Sequence, residues 1–343
     1  MPRSSTPLVP VTLLTGFLGS GKTTVLNHLM QQPAMSDTLV IINEFGETAL
    51  DHDLVTSSQE NLTRVMGSGC ICCTIRGDLV SALREIRQQF PEKAKQGFDR
   101  IIIETTGLAD PTPIIHTLMT HPQVYSFYRL DGIVATIDLA TASTTLDRFE
   151  EAVKQIAVAD ALLLTKADLC EKQSLEPVLQ RLKSINPAAD RYKVNRGQID
   201  ASHLLNLGLF STQGKSPDVE NWLRDGAYHD HHDHHDHVKT AHSRHNTKIE
   251  SFSFSMDRPI SATGLNLGLE LLMSAIGEDI LRVKAILNLE GRSRPMVLHG
   301  VQHILHPLSP LPEWPSEDMR SRFVFITREI PKETIEKLFR MFG

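Results

Sequence analysis

Val11-Thr-Leu-Leu-Thr15, running without a break into Gly16-Phe-Leu-Gly-Ser-Gly21-Lys22-Thr23, is the stretch that decides the fold. The first five residues are a short apolar run and read as a buried strand. The next eight fit the phosphate-loop spacing G-x-x-x-x-G-K-[ST]. Lys22 to Gln32 then carries a helical pattern, stopped by Pro33. A glycine-rich loop between a strand and a helix lets backbone N–H groups curl around a β-phosphate. Lys22 then supplies a point charge to the β- and γ-phosphates, and Thr23 offers a hydroxyl to Mg²⁺. Gly16, Gly19, Ser20, Gly21, Lys22, Thr23 and Thr24 are the expected nucleotide-binding residues, with Lys22 also catalytic.

Outward from this loop, short apolar runs alternate with helical patterns. Leu39–Ile42, Ile101–Ile103, Gly132–Ile137 and Ala161–Leu164 read as strands; Leu79–Phe90 and Leu175–Ile185 read as helices. Alternation of this kind implies an α/β domain with a mostly parallel sheet covered on both faces, ending near residue 210. Residues 211–247 are polar and cannot bury a core, so they are expected to be a flexible linker. From 248 to 343 the pattern changes to a small α+β domain. Ile249–Phe254 alternates like a half-buried strand, Phe323–Ile326 reads as another strand, and Ala262–Met273 and Glu333–Phe342 read as helices.

Two further motifs sit at strand ends. Glu104 closes the Ile101–Ile103 run, where a Walker B carboxylate reaches Mg²⁺ directly or through water, and Gly107 is placed to give an N–H to a γ-phosphate. Thr165-Lys166-Ala167-Asp168 follows Ala161–Leu164. A carboxylate there can accept from N1–H and N2–H₂ of guanine, a donor pair that adenine lacks, while the lysine stem lies on the base. Together with the phosphate loop this favours GTP over ATP.

Cys70-Ile71-Cys72-Cys73 holds three of the chain's four cysteines. Thiolates at 70, 72 and 73 can wrap one Zn²⁺, since soft sulfur prefers Zn²⁺ or Cu(I) to Mg²⁺. Buried apolar cysteines and a redox pair are the alternative readings. Three thiolates leave a tetrahedral ion one ligand short. Glu44 or Glu47 in Asn43-Glu-Phe-Gly-Glu47 can complete it, or the position stays open, which suits an ion that is handed on. Asp51 is read as a catalytic switch residue touching water or Mg²⁺, with a solvated loop acid as the alternative. In the linker, His229, His231, His232, His234, His235 and His237 form a run that suits weak binding of divalent metals, best above pH ~6.5 where imidazole is neutral.

Composition narrows the rest. The net charge of −6 and the absence of a long basic run speak against a nucleic-acid partner. No window approaches a membrane span, the N-terminus lacks an apolar h-region, and clustered cysteines suit a reducing cytoplasm.

Gly16–Thr23, Asn43–Glu47, Gly69-Cys-Ile-Cys-Cys73, Glu104-Thr-Thr-Gly-Leu-Ala-Asp-Pro111, Thr165–Asp168 and the C-terminal Trp314–Ile326 together resemble the CobW-like family of P-loop GTPases. That resemblance covers nearly the whole chain. It implies GTP hydrolysis with Mg²⁺, and zinc handling at the cysteine motif. Within the family it points to the metal-insertion branch of zinc chaperones that deliver metal to a client metalloprotein. It leaves open a non-catalytic, nucleotide-gated zinc reservoir or sensor, and service to cobalamin synthesis or nitrile hydratase. Ile42 stands where some relatives carry an acid, so that ligand is absent here. No residue stands out as a water-orienting glutamine. Slow hydrolysis is therefore expected without a partner or nucleotide-dependent homodimerisation.

Overall fold

The structure is a computed structural model that describes residues 8–43, 63–65, 71–75, 79–89, 98–170, 172–205, 207 and 249–342. By contacts the chain divides into two compact units. One joins Met1–Ala140, Ala161–Leu169 and Arg191–Phe210; the other joins Thr141–Asp160, Cys170–Asp190 and Ser211–Gly343.

The phosphate-loop unit is built on β1 (Val9–Gly16). Along one sheet lie β3 (Thr63–Val65), β4 (Ile71–Ile75), β2 (Thr38–Asn43), β5 (Arg100–Thr105), β1, β6 (Tyr128–Asp138), β7 (Ala161–Thr165) and β8 (Asp190–Val194). The six strands from β4 to β7 run parallel, and β3 is antiparallel to β4. This is the predicted α/β sheet. Every residue of β5 and β7 is buried, which accounts for their unbroken apolar runs, because helices cover both faces of a parallel sheet. One irregularity has a visible cause. The register of β1 on β6 slips at Asp131, whose carboxylate accepts from Arg100 and Arg129 at 2.7 Å each.

The helix after the loop, α1 (Lys22–Leu29), buries Val25, Leu26 and Leu29 against Leu14, Val40, Ile102 and Val134. It is shorter than the pattern to Gln32 suggests. Gln32 is extended (φ −85°, ψ 140°), as a residue before proline prefers. Its amide donates to Ile199 O (2.6 Å) and accepts from Ala201 N (2.8 Å), contacts a helical Gln32 would give up. Further along are α2 (Leu79–Gln89), α3 (Thr112–Thr120) and α4 (Pro122–Tyr125).

The second unit begins with α5 (Ala142–Arg148), α6 (Glu150–Val158) and α7 (Lys172–Ile185). It continues with β9 (Ile249–Met256), α8 (Ala262–Ile276), β10 (Ile280–Leu287), β11 (Met296–Val301), β12 (Ile304–Leu305), β13 (Ser309–Pro310), β14 (Ser321–Arg328) and α9 (Lys332–Phe342). The strands make an antiparallel sheet ordered β12-β11-β10-β14-β9, with β13 on β11. The α+β reading thus holds. The core is aromatic. Phe254 stacks on Phe323 at 4.9 Å, Phe252 on Phe325 at 5.8 Å, and Phe339 of α9 sits 4.7 Å from Phe323. The Ser261 hydroxyl caps α8 by accepting from Gly264 N at 3.0 Å. All eight residues of β10 are buried, including Arg282 and Lys284. Val283, Ala285 and Leu287 face the aromatic core, while Arg282 and Lys284 reach the Asp160 carboxylate on the other side. Among the described residues no helix is long and apolar enough to cross a membrane.

Candidate nucleotide and metal site

The phosphate loop leaves the C-terminal end of β1, between β5 and β6, and Gly19, Ser20 and Gly21 turn the chain into α1. Gly16 is required on two counts. Its φ is +137°, and a Cβ there would lie 2.2 Å from Thr136 Oγ1 and 2.5 Å from the Thr136 carbonyl oxygen. Lys22 folds back over the loop, donating to Gly16 O (2.8 Å) and Phe17 O (3.1 Å). Burial pushes its pKa down, against the attraction of Glu104. An arriving phosphate would supply the anion that this buried ammonium lacks.

Thr23 Oγ1 donates to Glu104 Oε1 at 2.8 Å, across 81 residues of sequence, and Glu104 is buried. The loop and the strand-end carboxylate are therefore brought together. A hydroxyl and a carboxylate are the oxygen donors that Mg²⁺ takes, so the residues present fit that ion. Gly107, read from the sequence as an N–H donor, has a further reason to be glycine. A Cβ there would lie 2.6 Å from Leu18 N and 2.7 Å from Leu18 Cα, so the segment after β5 packs directly on the phosphate loop.

Thr165–Asp168 occupies the end of β7 and a 3₁₀ turn, Ala167–Leu169. Thr165 Oγ1 lies 2.8 Å from Ser20 O and 3.0 Å from Ile137 O, tying this turn to the phosphate loop. Lys166 is left-handed (φ 55°), a conformation uncommon outside glycine, and its ammonium donates to Asp138 Oδ2 at 2.6 Å. Asp168 is exposed and open to a ligand, and Thr24 is exposed in the first turn of α1.

Several residues escaped the sequence reading. Asp138 holds Lys166, and its Oδ1 accepts from Ala140 N at 3.0 Å. Thr136 shares a hydrogen bond with Ser20 Oγ at 2.6 Å, and Thr105 donates to Thr15 Oγ1 at 2.9 Å. Their only signal is a threonine or aspartate at or near the end of a strand that follows an apolar run.

Of the cysteine motif, Cys72 and Cys73 have their backbone in β4, registered on Val40 and Ile41 of β2. Cys70, Glu44, Glu47, Asp51 and His229, His231, His232, His234, His235 and His237 lie outside the described residues. Among the described residues no group of three or more His, Cys, Asp or Glu converges on a metal position. The register across the sheet is nevertheless informative. Leu14 pairs with Glu104, Glu104 with Ile42, and Ile42 with Thr74, the residue after Cys73. Glu104 and the cysteine strand are thus two strands apart, roughly 10 Å at the usual strand spacing.

A phosphate loop on a central parallel strand, a carboxylate at the end of its neighbour, and a separate antiparallel-sheet domain define a P-loop nucleotide-binding protein of two-domain type. The chain belongs to the CobW/HypB/UreG family: residues 10–193 match its nucleotide-binding domain, and residues 249–342 match the cobalamin synthesis protein cobW C-terminal domain. It is 32% identical to the zinc chaperone YjiA of Escherichia coli (strain K12), over 96% of this chain and 98% of that protein. It is 34% identical to the zinc-regulated GTPase metalloprotein activator 1 of Schizosaccharomyces pombe, over 94% of this chain and 83% of that protein. The crystal structure of the Zn(II)-bound YjiA GTPase from E. coli matches with a TM-score of 0.72 at 31% identity, covering 98% of this chain and all of that one.

Proposed function

We propose that this protein is a GTP-hydrolysing zinc chaperone, binding Zn²⁺ at Cys70, Cys72 and Cys73 and transferring it to a client metalloprotein under control of the bound nucleotide. The observation that carries the reading is the strand register from Glu104 through Ile42 to Thr74, which sets the nucleotide-side carboxylate two strands from the cysteine motif. Relatives named as zinc chaperones and a zinc-regulated GTPase support it.

The chain is a GTPase. Hydrolysis is attack of water on the γ-phosphorus with GDP as the leaving group. Loop N–H groups and Lys22 hold the β- and γ-oxygens, Lys22 exchanging its Gly16 and Phe17 carbonyl partners for phosphate. Mg²⁺, when bound, neutralises charge on those oxygens, and Thr23 and Glu104 would hold it. Thr165, Lys166 and Asp168 receive the guanine. The γ-phosphate would order the segments after β2 and β5, around Asn43–Glu47 and Glu104–Gly107, and Asp51 is the switch acid that would meet water or Mg²⁺. These segments flank the cysteines in sequence or in the sheet, so loss of the γ-phosphate releases a Zn²⁺ that is cargo, completed by Glu44 or Glu47. Residues 1–210 supply the GTPase domain, 211–247 the histidine linker and 248–343 the C-terminal domain.

Two expectations test parts of this reading. Asp168→Asn converts a match to the guanine donor pair into a mismatch and should weaken GTP binding more than tenfold, about 1.4 kcal/mol. A nucleotide-displacement titration checks it, and equal wild-type affinity for ATP and GTP removes the guanine assignment. Deletion of residues 229–237 should leave GTP turnover and the tightest zinc site unchanged. It should also remove weaker sites, readable by calorimetry, that take Ni²⁺ and Co²⁺ as well as Zn²⁺. Unfolding of that deletion variant would contradict the linker assignment. For the function as a whole, GTP turnover should rise when a metal-free client is added to the zinc-loaded protein, and zinc should appear in the client. Zinc transfer at the same rate without nucleotide would overturn the proposal.

A further inference from the structure

Asp138 is the last residue of β6, and both of its carboxylate oxygens are in use. Oδ1 accepts from Ala140 N at 3.0 Å and shapes the turn that leaves the strand. Oδ2 accepts from Lys166 Nζ at 2.6 Å. The aspartate side chain is 10% exposed and the lysine side chain 37%. Asp138 is also the β6 partner of Thr165, and Leu139 N donates to Thr165 O at 3.1 Å. The register of β7 on β6 ends at that pair, and Lys166 is the first residue beyond it.

The strand ladder fixes the backbone of Thr165, but it does not fix the long, flexible side chain that follows. Two features settle the course of that side chain. The Lys166 backbone is left-handed (φ 55°), a conformation that a residue with a Cβ keeps only where its surroundings hold it. Its ammonium is anchored on the end of the neighbouring strand. The methylene stem therefore spans from the end of β7 to the end of β6. An ion pair as exposed as this one adds little stability, because water screens the attraction and a long side chain must be ordered to make it. What it does supply is order in the stem. A purine that settles on a stem already ordered loses less side-chain entropy on binding than one that must immobilise the lysine itself.

We infer that Asp138 is a positioning residue for the guanine base, acting through Lys166. It holds the ammonium so that the stem offers a fixed apolar surface next to Asp168, the exposed carboxylate two residues on. Its loss should therefore fall on ligands that carry a base. The phosphate loop has separate supports: Lys22 is held by Gly16 O and Phe17 O, and Ser20 Oγ by Thr136 Oγ1. The inference rests on reading Thr165–Asp168 as the base site.

The test separates base from phosphate recognition and asks whether the two side chains act as one. A fluorescent GDP is displaced by GDP, by ADP and by inorganic tripolyphosphate, in wild type, Asp138→Asn, Lys166→Met and the double variant. Asparagine keeps an oxygen for Ala140 N, and methionine keeps an apolar stem without the ammonium. A wild type that does not prefer GDP to ADP removes the base-site reading itself. Given that preference, each single variant should weaken GDP about three- to tenfold, the usual cost of immobilising one long side chain on binding. Tripolyphosphate should compete unchanged. The double variant should bind GDP no worse than the weaker single variant, because either change alone already frees the stem. Should Asp138→Asn not fold, Lys166→Met, which alters the more exposed partner, should still show the base-selective loss. Unchanged GDP affinity in either folded single variant overturns the inference. Equal weakening of GDP and tripolyphosphate does so too, as do effects that simply add in the double variant.

Discussion

Lys22→Ala should lower kcat for GTP hydrolysis by about 10²–10³-fold, the loss typical when one fixed stabiliser of transition-state charge is removed. The ammonium is buried, aimed along the loop by the Gly16 and Phe17 carbonyls, and near the Glu104 carboxylate. Alanine leaves the phosphate oxygens facing loop N–H groups alone. Zinc bound in the absence of nucleotide should be nearly unaffected, because Lys22 opens α1 while Cys72 and Cys73 lie in β4, with β2, β5 and β1 in between. Single-turnover hydrolysis and metal analysis of the same preparation check both halves. Loss of stoichiometric zinc from a folded Lys22→Ala protein would show that the two sites cannot be separated.

The second large effect is on the metal. Replacing Cys70, Cys72 and Cys73 together by serine should weaken the tightest zinc site by at least about 10³-fold. Structural zinc sites bind with roughly 10–16 kcal/mol at neutral pH, and removing every thiolate forfeits more than about 4 kcal/mol of that. A serine hydroxyl stays protonated at pH 7 and is a poor ligand for a borderline-soft ion. The backbone of β4 pairs with β2 over Leu39–Asn43, so the sheet should tolerate the exchange. Competition with a chelator of known affinity measures the loss. Retention of tight zinc in the triple variant would move the site elsewhere, the histidine linker being the next place to look. With zinc binding lost, any zinc effect on GTP affinity should vanish too.

How legible each feature is in the sequence depends on how locally it is determined. The phosphate loop, Glu104 and Thr165–Asp168 are readable because each is a polar punctuation at the end of a buried parallel strand, directly after an apolar run in β1, β5 or β7. Phe252 and Phe254 are readable because β9 alternates. β10 is not, since Arg282 and Lys284 interrupt its apolar pattern. Their burial depends on Asp160, more than a hundred residues earlier in the chain. The early end of α1 is hidden for a similar reason: Gln32 is drawn away by Ile199 and Ala201, 167 and 169 residues on. Asp138 and Thr136 escape notice because an acid or a threonine in the last residues of a strand carries no motif of its own. Their roles appear only when β6 is seen beside β1 and β7.

The central claim is that the γ-phosphate controls the zinc site. Its carriers are the segment from Asn43 toward Cys73 and the register that links Glu104 to β4 through β2. Linkage requires that GTP change zinc affinity by the same factor as zinc changes GTP affinity. A zinc competition titration of the purified protein, once with GDP and once with a non-hydrolysable GTP analogue, measures that factor. The account predicts a difference of roughly 5–150-fold, about 1–3 kcal/mol. Identical zinc affinities in the two nucleotide states would contradict it, leaving a GTPase whose cysteines take no part in its cycle.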